Sequence, residues 1–169
     1  LRFFDLVVGD CDEALVGDIV DGVYDPGTFA SGTALAELPS VEERMPEIRR
    51  SAFVRDRYPY PSTTIPLLAS TGCPYTCDFC IDWDRPYRQL PLERLAADLR
   101  MVATTIPGAM VSFHDPNFAI KFDAVLDVLE ELPVEARPPY IMESSLAVLR
   151  GTRPRRLSAT KCAMAAPGI

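Results

Sequence analysis

The sequence has no apolar run near the about eighteen residues needed to span a bilayer, and no stretch with the pattern of a secretory signal. No membrane span is expected. A cytoplasmic setting, which keeps thiols reduced, is. Positive charge is also scarce: 17 Lys and Arg stand against 24 Asp and Glu, a net charge of −7. That balance excludes non-specific binding to nucleic acid or to an anionic membrane surface. One local basic cluster, Arg150, Arg153, Arg155 and Arg156 with Lys161 nearby, lacks interleaved aromatics and reads as a solvated face. Histidine occurs once, at His114, and cysteine five times. An odd number of cysteines leaves a thiol over, so a disulfide framework fits poorly.

What the sequence does have is concentrated in one stretch. Cys73, Cys77 and Cys80 fall within eight residues in the spacing C-x3-C-x2-C. Three thiolates on one short loop converge only if the loop wraps around something, and a metal centre is the natural candidate. Iron–sulfur clusters take thiolate ligands, so three cysteines on a four-iron cluster leave one iron open to a substrate or cofactor. A zinc site needs a fourth ligand. Cys11, His114 and Cys162 are the remaining candidates, all distant, and no second C-x2-C pair exists. A zinc module stays open as an alternative.

The loop resembles the cluster loop of the radical S-adenosylmethionine superfamily. The resemblance implies that Cys73, Cys77 and Cys80 hold a 4Fe-4S cluster whose fourth iron is chelated by the amino and carboxylate groups of S-adenosylmethionine. One electron from the reduced cluster then cleaves the sulfonium to methionine and a 5′-deoxyadenosyl radical. It also implies Phe79 near the adenine, and a reducing partner such as flavodoxin or ferredoxin. Tyr87-Arg88 resembles a Tyr-Arg element found after the loop in the family.

Upstream, Leu6-Val7-Val8-Gly9 is expected to end a short buried strand. Asp10 and Glu13 would form a capping box opening a helix with Leu15, Val16, Ile19 and Val20 on one side. Gly9-Asp10-Cys11-Asp12 resembles the Gly-Glu-Gly-Glu turn closing the cobalamin-binding domain in one branch of the superfamily, with Cys11 in place of the second glycine and aspartates for the glutamates. Cobalamin is thereby implied for the parent protein only, and Cys11 itself reads as a small semi-buried thiol. Residues 21–64, rich in turn formers such as Asp25-Pro26-Gly27, Pro39, Pro46, Pro59 and Pro61, are expected to form an extended connector. Arg55-Asp56-Arg57-Tyr58-Pro59 resembles the Arg-Asp element of the branch's own connector.

From residue 65 the pattern alternates. Strands are expected at 65–70, 109–114, 139–145 and 162–169. Amphipathic helices should carry Leu92, Leu95, Leu99 and Val102, then Phe122, Val125, Leu126 and Leu129 up to Pro133, with a weaker helix from Leu146 towards Leu157. Trp83 is expected to pack the loop against the rim or to cover the site. Asp115-Pro116-Asn117-Phe118 resembles an Asp-x-Asn-Phe element of cobalamin-linked relatives, which implies Asp115 and Asn117 at the cofactor's ammonium group. An Asx turn capping the next helix is the alternative. His114 is either a proton donor or a structural imidazole. Glu143 and Ser144, near the end of the third strand, would face cofactor polar groups, or Ser144 or Ser145 would cap a helix. Cys162 is expected to be buried.

The expected fold class is therefore α/β: a partial (β/α) TIM-like barrel of about four βα units over 65–169, preceded by the tail of a Rossmann-like α/β domain (1–22) and a connector (23–64). A full eight-unit barrel needs about 250 residues, and with Leu1 and Ile169 at its ends the chain is expected to be a fragment. The functional expectation is a radical S-adenosylmethionine enzyme fragment of unknown substrate. The alternatives are a non-catalytic zinc or iron–sulfur module and an inactive truncated product. Methyl transfer, ring closure and methylthiolation are all compatible with it.

Overall fold

The computed structural model describes residues 3–32, 38–55, 64–80, 86–118 and 120–168, and for 51–55 the backbone alone. The chain divides into two units, Leu1–Pro39 and Ser40–Ile169.

In the first unit β1 (Leu6–Val8) runs parallel to β2 (Thr28–Ala30), with Leu6 opposite Thr28 and Val8 opposite Ala30. Parallel neighbours need a crossover, and α1 (Glu13–Val20) lies between them in sequence. Its N-cap is Asp12, whose Oδ1 accepts the Leu15 N–H at 2.8 Å. The expected cap, Asp10, instead gives its carbonyl to the Gly32 N–H at 2.6 Å, and the helix opens beyond it. Of the four apolar residues expected on one side of α1, Leu15 is buried and Ile19 half-buried, while Val16 and Val20 are exposed. Cys11 is exposed rather than semi-buried.

Two elements lie within the expected connector, 23–64. One is β2, in the unit Leu1–Pro39. The other is α2 (Met45–Arg55). A three-residue strand is too short to show alternation, and Pro46 reads as a breaker although it is tolerated in a first helical turn. Pro59 and Pro61, with Asp56, Arg57 and Tyr58 of the Arg-Asp element, lie outside the described residues.

The second unit is α/β. In order it contains β3 (Thr64–Leu67), β4 (Ser70–Thr71), β5 (Arg88–Gln89), α3 (Leu92–Thr105), β6 (Met110–Phe113), α4 (Phe122–Glu131), β7 (Tyr140–Ser145), α5 (Arg153–Ala159) and β8 (Cys162–Gly168). Strands β3, β6, β7 and β8 form one sheet in that order, every pair parallel. Ile65, Val111 and Tyr140 share a register row, as do Leu67, Phe113 and Met142. These six are buried in one core with Leu95, Leu99 and Val102 of α3, Phe122, Val125, Leu126 and Leu129 of α4, and Leu157 of α5. Each such side chain contributes about 1.5–3 kcal/mol by leaving water. On the alternate face, Thr64, Pro66, Glu143, Met164 and Ala166 are exposed and Ile141 is half-buried.

Helix ends follow from local chemistry. Leu132 stops α4 at φ −71°, ψ 141°, the extended conformation that Pro133 imposes on its predecessor. The weak helix expected from Leu146 towards Leu157 is two pieces, a 3-10 turn (Leu146–Leu149) and α5, separated by Gly151 at φ +59°. Arg153 and Arg156, expected on a solvated face, instead clasp α4. Arg156 pairs with Asp123, Asp127 and Glu130, and Arg153 pairs with Asp123 and stacks 5.1 Å over the Phe122 ring. Cys162 is half-buried. Among the described residues no helix is long and apolar enough to cross a membrane.

The segment before α2 is anchored to this unit. Val41 is fully buried, and its N–H donates to Asp98 Oδ1 of α3 at 2.8 Å. Ser40 and Glu43 cap the segment reciprocally: the Ser40 N–H donates to the Glu43 carboxylate at 2.6 Å, and the Glu43 N–H to Ser40 Oγ at 3.1 Å. Replacing Asp98 by Ala strands the Val41 N–H, so the variant should lose roughly 1–3 kcal/mol of stability in urea unfolding. A midpoint equal to that of the parent chain would show that this anchor contributes nothing.

Candidate functional site

The cysteine loop grows from the C-terminal end of β3. Past Leu67 the chain turns into the two-residue strand β4, which pairs antiparallel with β5: Ser70 opposite Gln89, Thr71 opposite Arg88. The Leu90 N–H donates to the Ala69 carbonyl at 2.9 Å, which closes the base of the cysteine loop. Gly72, at φ +67°, takes the left-handed turn that carries the chain out of the ladder into Cys73. At the tip, the Cys80 N–H donates to the Cys77 carbonyl at 3.0 Å, folding the C-x2-C pair into a tight turn. Cys73 and Cys80 are half-buried, Cys77 is exposed, and all three are free thiols. Phe79 is 85% exposed and Tyr75 57%. Trp83 lies outside the described residues.

The His114–Asn117 turn at the end of β6 lies against the base of this loop. The His114 N–H donates to the Leu67 carbonyl at 3.0 Å. Asp115, 1% exposed, accepts the Ala69 N–H on both oxygens at 3.2 and 3.1 Å and the Ser70 hydroxyl on Oδ1 at 2.6 Å. Burial pushes its carboxyl above the usual carboxylate range, partly offset by those hydrogen bonds. Tyr87 stands just before β5; burial raises its phenol, and the Asp115 charge adds to the rise. Asp115, expected at a cofactor ammonium, is enclosed and engaged by these partners.

The other expected site residues gather at the same edge. Asn117 is half-buried and the His114 side chain exposed. Glu143, on the uncovered face of β7, is exposed, and its carbonyl accepts the Phe118 N–H at 3.2 Å. Ser144, 9% exposed on the helix-covered side, has an Oγ with no hydrogen-bond partner among the described residues. The cap at this end is Ser145, whose Oγ receives the Ala147 N–H at 3.4 Å.

Among the described residues no three His, Cys, Asp or Glu side chains stand close enough to share a single metal ion. A polynuclear cluster does not demand that, because each thiolate binds a different iron. The donor set is three soft sulfurs with free thiols on an accessible loop, which suits an iron–sulfur cluster with one corner vacant. Ser70 and Tyr87 are the site residues that sequence reasoning did not assign. Only the resemblance had pointed to Tyr87, and nothing in the spacing links either to Asp115.

No protein-family model matches the chain, and no curated protein matches it in sequence. Among solved structures it is similar to the radical S-adenosylmethionine methyltransferase TsrM from Kitasatospora setae with cobalamin and a [4Fe-4S] cluster bound. That similarity has a TM-score of 0.54 and 18% identity over 63% of this chain. The chain spans 22% of that protein's length. At this identity the likeness is one of fold.

The raised carboxyl of Asp115 has a measurable consequence. Between the ordinary carboxylate value and the raised one, the folded chain holds a proton that the unfolded chain has released, so stability falls as pH rises through that window. Asp115→Asn removes this contribution. The stability difference, parent minus variant, should therefore decline across the window in urea titrations at stepped pH and then level off. A difference that grows with pH would contradict the burial argument.

Proposed function

We propose that the chain is part of a radical S-adenosylmethionine enzyme, its second unit the first four βα units of a (β/α) barrel and its first unit the end of a Rossmann-like, cobalamin-binding domain. The observation that carries this reading is three free thiols on one loop at the C-terminal edge of an all-parallel sheet, where α/β barrels build their sites. The fold likeness to a radical S-adenosylmethionine methyltransferase with cobalamin and a [4Fe-4S] cluster bound supports it.

Cys73, Cys77 and Cys80 would hold a 4Fe-4S cluster, leaving one iron for S-adenosylmethionine. When bound, such a cluster would supply one-electron reducing chemistry to the cofactor's sulfonium. The chain's own part is binding and orientation. Phe79, exposed on the loop, would stack against the adenine. Glu143 and Asn117, both reachable at the strand ends, would meet the cofactor's polar groups, and a carboxylate there suits an ammonium. Ser144, expected with them, is buried on the helix-covered side, its hydroxyl without a hydrogen-bond partner among the described residues. A flavodoxin- or ferredoxin-like donor in the cytoplasm would deliver the electron. The substrate, and whether the outcome is methyl transfer, ring closure or methylthiolation, belongs to parts of the parent protein beyond these four units.

Anaerobic reconstitution with iron and sulfide tests the reading. The chain should take up both in equal amounts, and the reduced cluster's electron paramagnetic resonance signal should shift when S-adenosylmethionine is added. Cys77→Ala should abolish uptake. Stoichiometric zinc without iron uptake would instead identify a zinc module, and a cluster signal indifferent to S-adenosylmethionine a structural one.

A further inference from the structure

We propose that Asp115 is a positioning residue that latches the two stems of the cysteine loop to the end of β6 and so sets where Cys73 and Cys80 stand. The proposal deepens the cluster reading and rests on it for its purpose, though not for its geometry.

The stem needs such a device. The ladder between β4 and β5 has two residue pairs, and an isolated two-stranded ladder is marginal even when longer. The buried Gln89 Nε2 has no hydrogen-bond partner among the described residues. Asp115 takes the Ala69 N–H and the Ser70 hydroxyl of the ascending stem, at 3.1 and 2.6 Å. The same two residues hold the descending stem: Ser70 stands opposite Gln89 in the ladder, and the Ala69 carbonyl accepts the Leu90 N–H. Ser70 leads into the loop that carries Cys73 and Cys80, its two half-buried thiols. Displacing either stem would expose both.

Thiol alkylation of the metal-free chain, resolved by peptide mass spectrometry, reads this directly. In Asp115→Ala the rates at Cys73 and Cys80 should rise about tenfold, the scale of a lost buried charge-assisted hydrogen bond, while already exposed Cys77 stays unchanged. Asp115→Asn, which keeps one acceptor oxygen, should recover most of the parent rates. Amide exchange at Val111 and Phe113 should be unaltered in both. Parent-like rates at Cys73 and Cys80 in Asp115→Ala would overturn the latch. So would a rise at these thiols matched by faster core exchange in both the Ala and Asn variants, which would make Asp115 a general stability residue. In the reconstituted chain, iron removal by a chelator should accelerate in the same order as alkylation. If the parent chain takes up no iron, the cluster reading fails, and the alkylation rates still decide the latch.

Discussion

Parallel pairing is the constraint from which the rest of the second unit follows. A strand that must lie parallel to its neighbour cannot return by a hairpin, so each connection crosses back over one face and every strand leaves the sheet at the same edge. In this chain that edge collects the cysteine loop after β3, the His114–Asn117 turn after β6 and the Glu143–Ser145 end of β7. Residues more than forty positions apart, such as Ser70 and Asp115, meet there with no motif linking them. The crossovers also explain the asymmetry of the sheet. Helices carrying Leu99, Leu126 and Leu157 seal one face, and the polar Glu143 is left on the other.

The elements that were legible in the sequence are those whose signal is local and repeated. Strands β3, β6, β7 and β8 and helices α3 and α4 all fall where alternation or helical period placed them, because burial of one face is written directly into those positions. The misses have a common cause. Strand β2 is three residues long, the cap of α1 moved because the Asp10 carbonyl is claimed by Gly32, and Gly151 split a helix that the apolar spacing alone would have continued. The arginines of α5 looked solvated for the same reason: their carboxylate partners sit on α4, 26 to 33 residues away. At the site, the thiol spacing was plain in the chain, whereas the environment of Asp115 was not. A resemblance between short motifs placed that carboxylate at a ligand, and its burial depends on tertiary contacts that no motif encodes.

The loop combines a fixed base with an open tip, and the two halves have different energetics. At the base both Asp115 oxygens, the Ala69 N–H and the Ser70 hydroxyl are paired within the protein, so ordering them costs little once β3 and β6 are in register. At the tip a lone carbonyl bond between Cys77 and Cys80 holds the turn, and Tyr75 and Phe79 stand in water. Exposed aromatics are unfavourable in a finished surface, and the three free cysteine side chains have no partner among the described residues. A ligand that bound the sulfurs would supply that missing free energy, since metal affinity and local folding are one quantity wherever a site is completed only on binding. On the cluster reading, the base confines the search of the three sulfurs to a small volume before any metal arrives, and the tip keeps enough freedom to close around it.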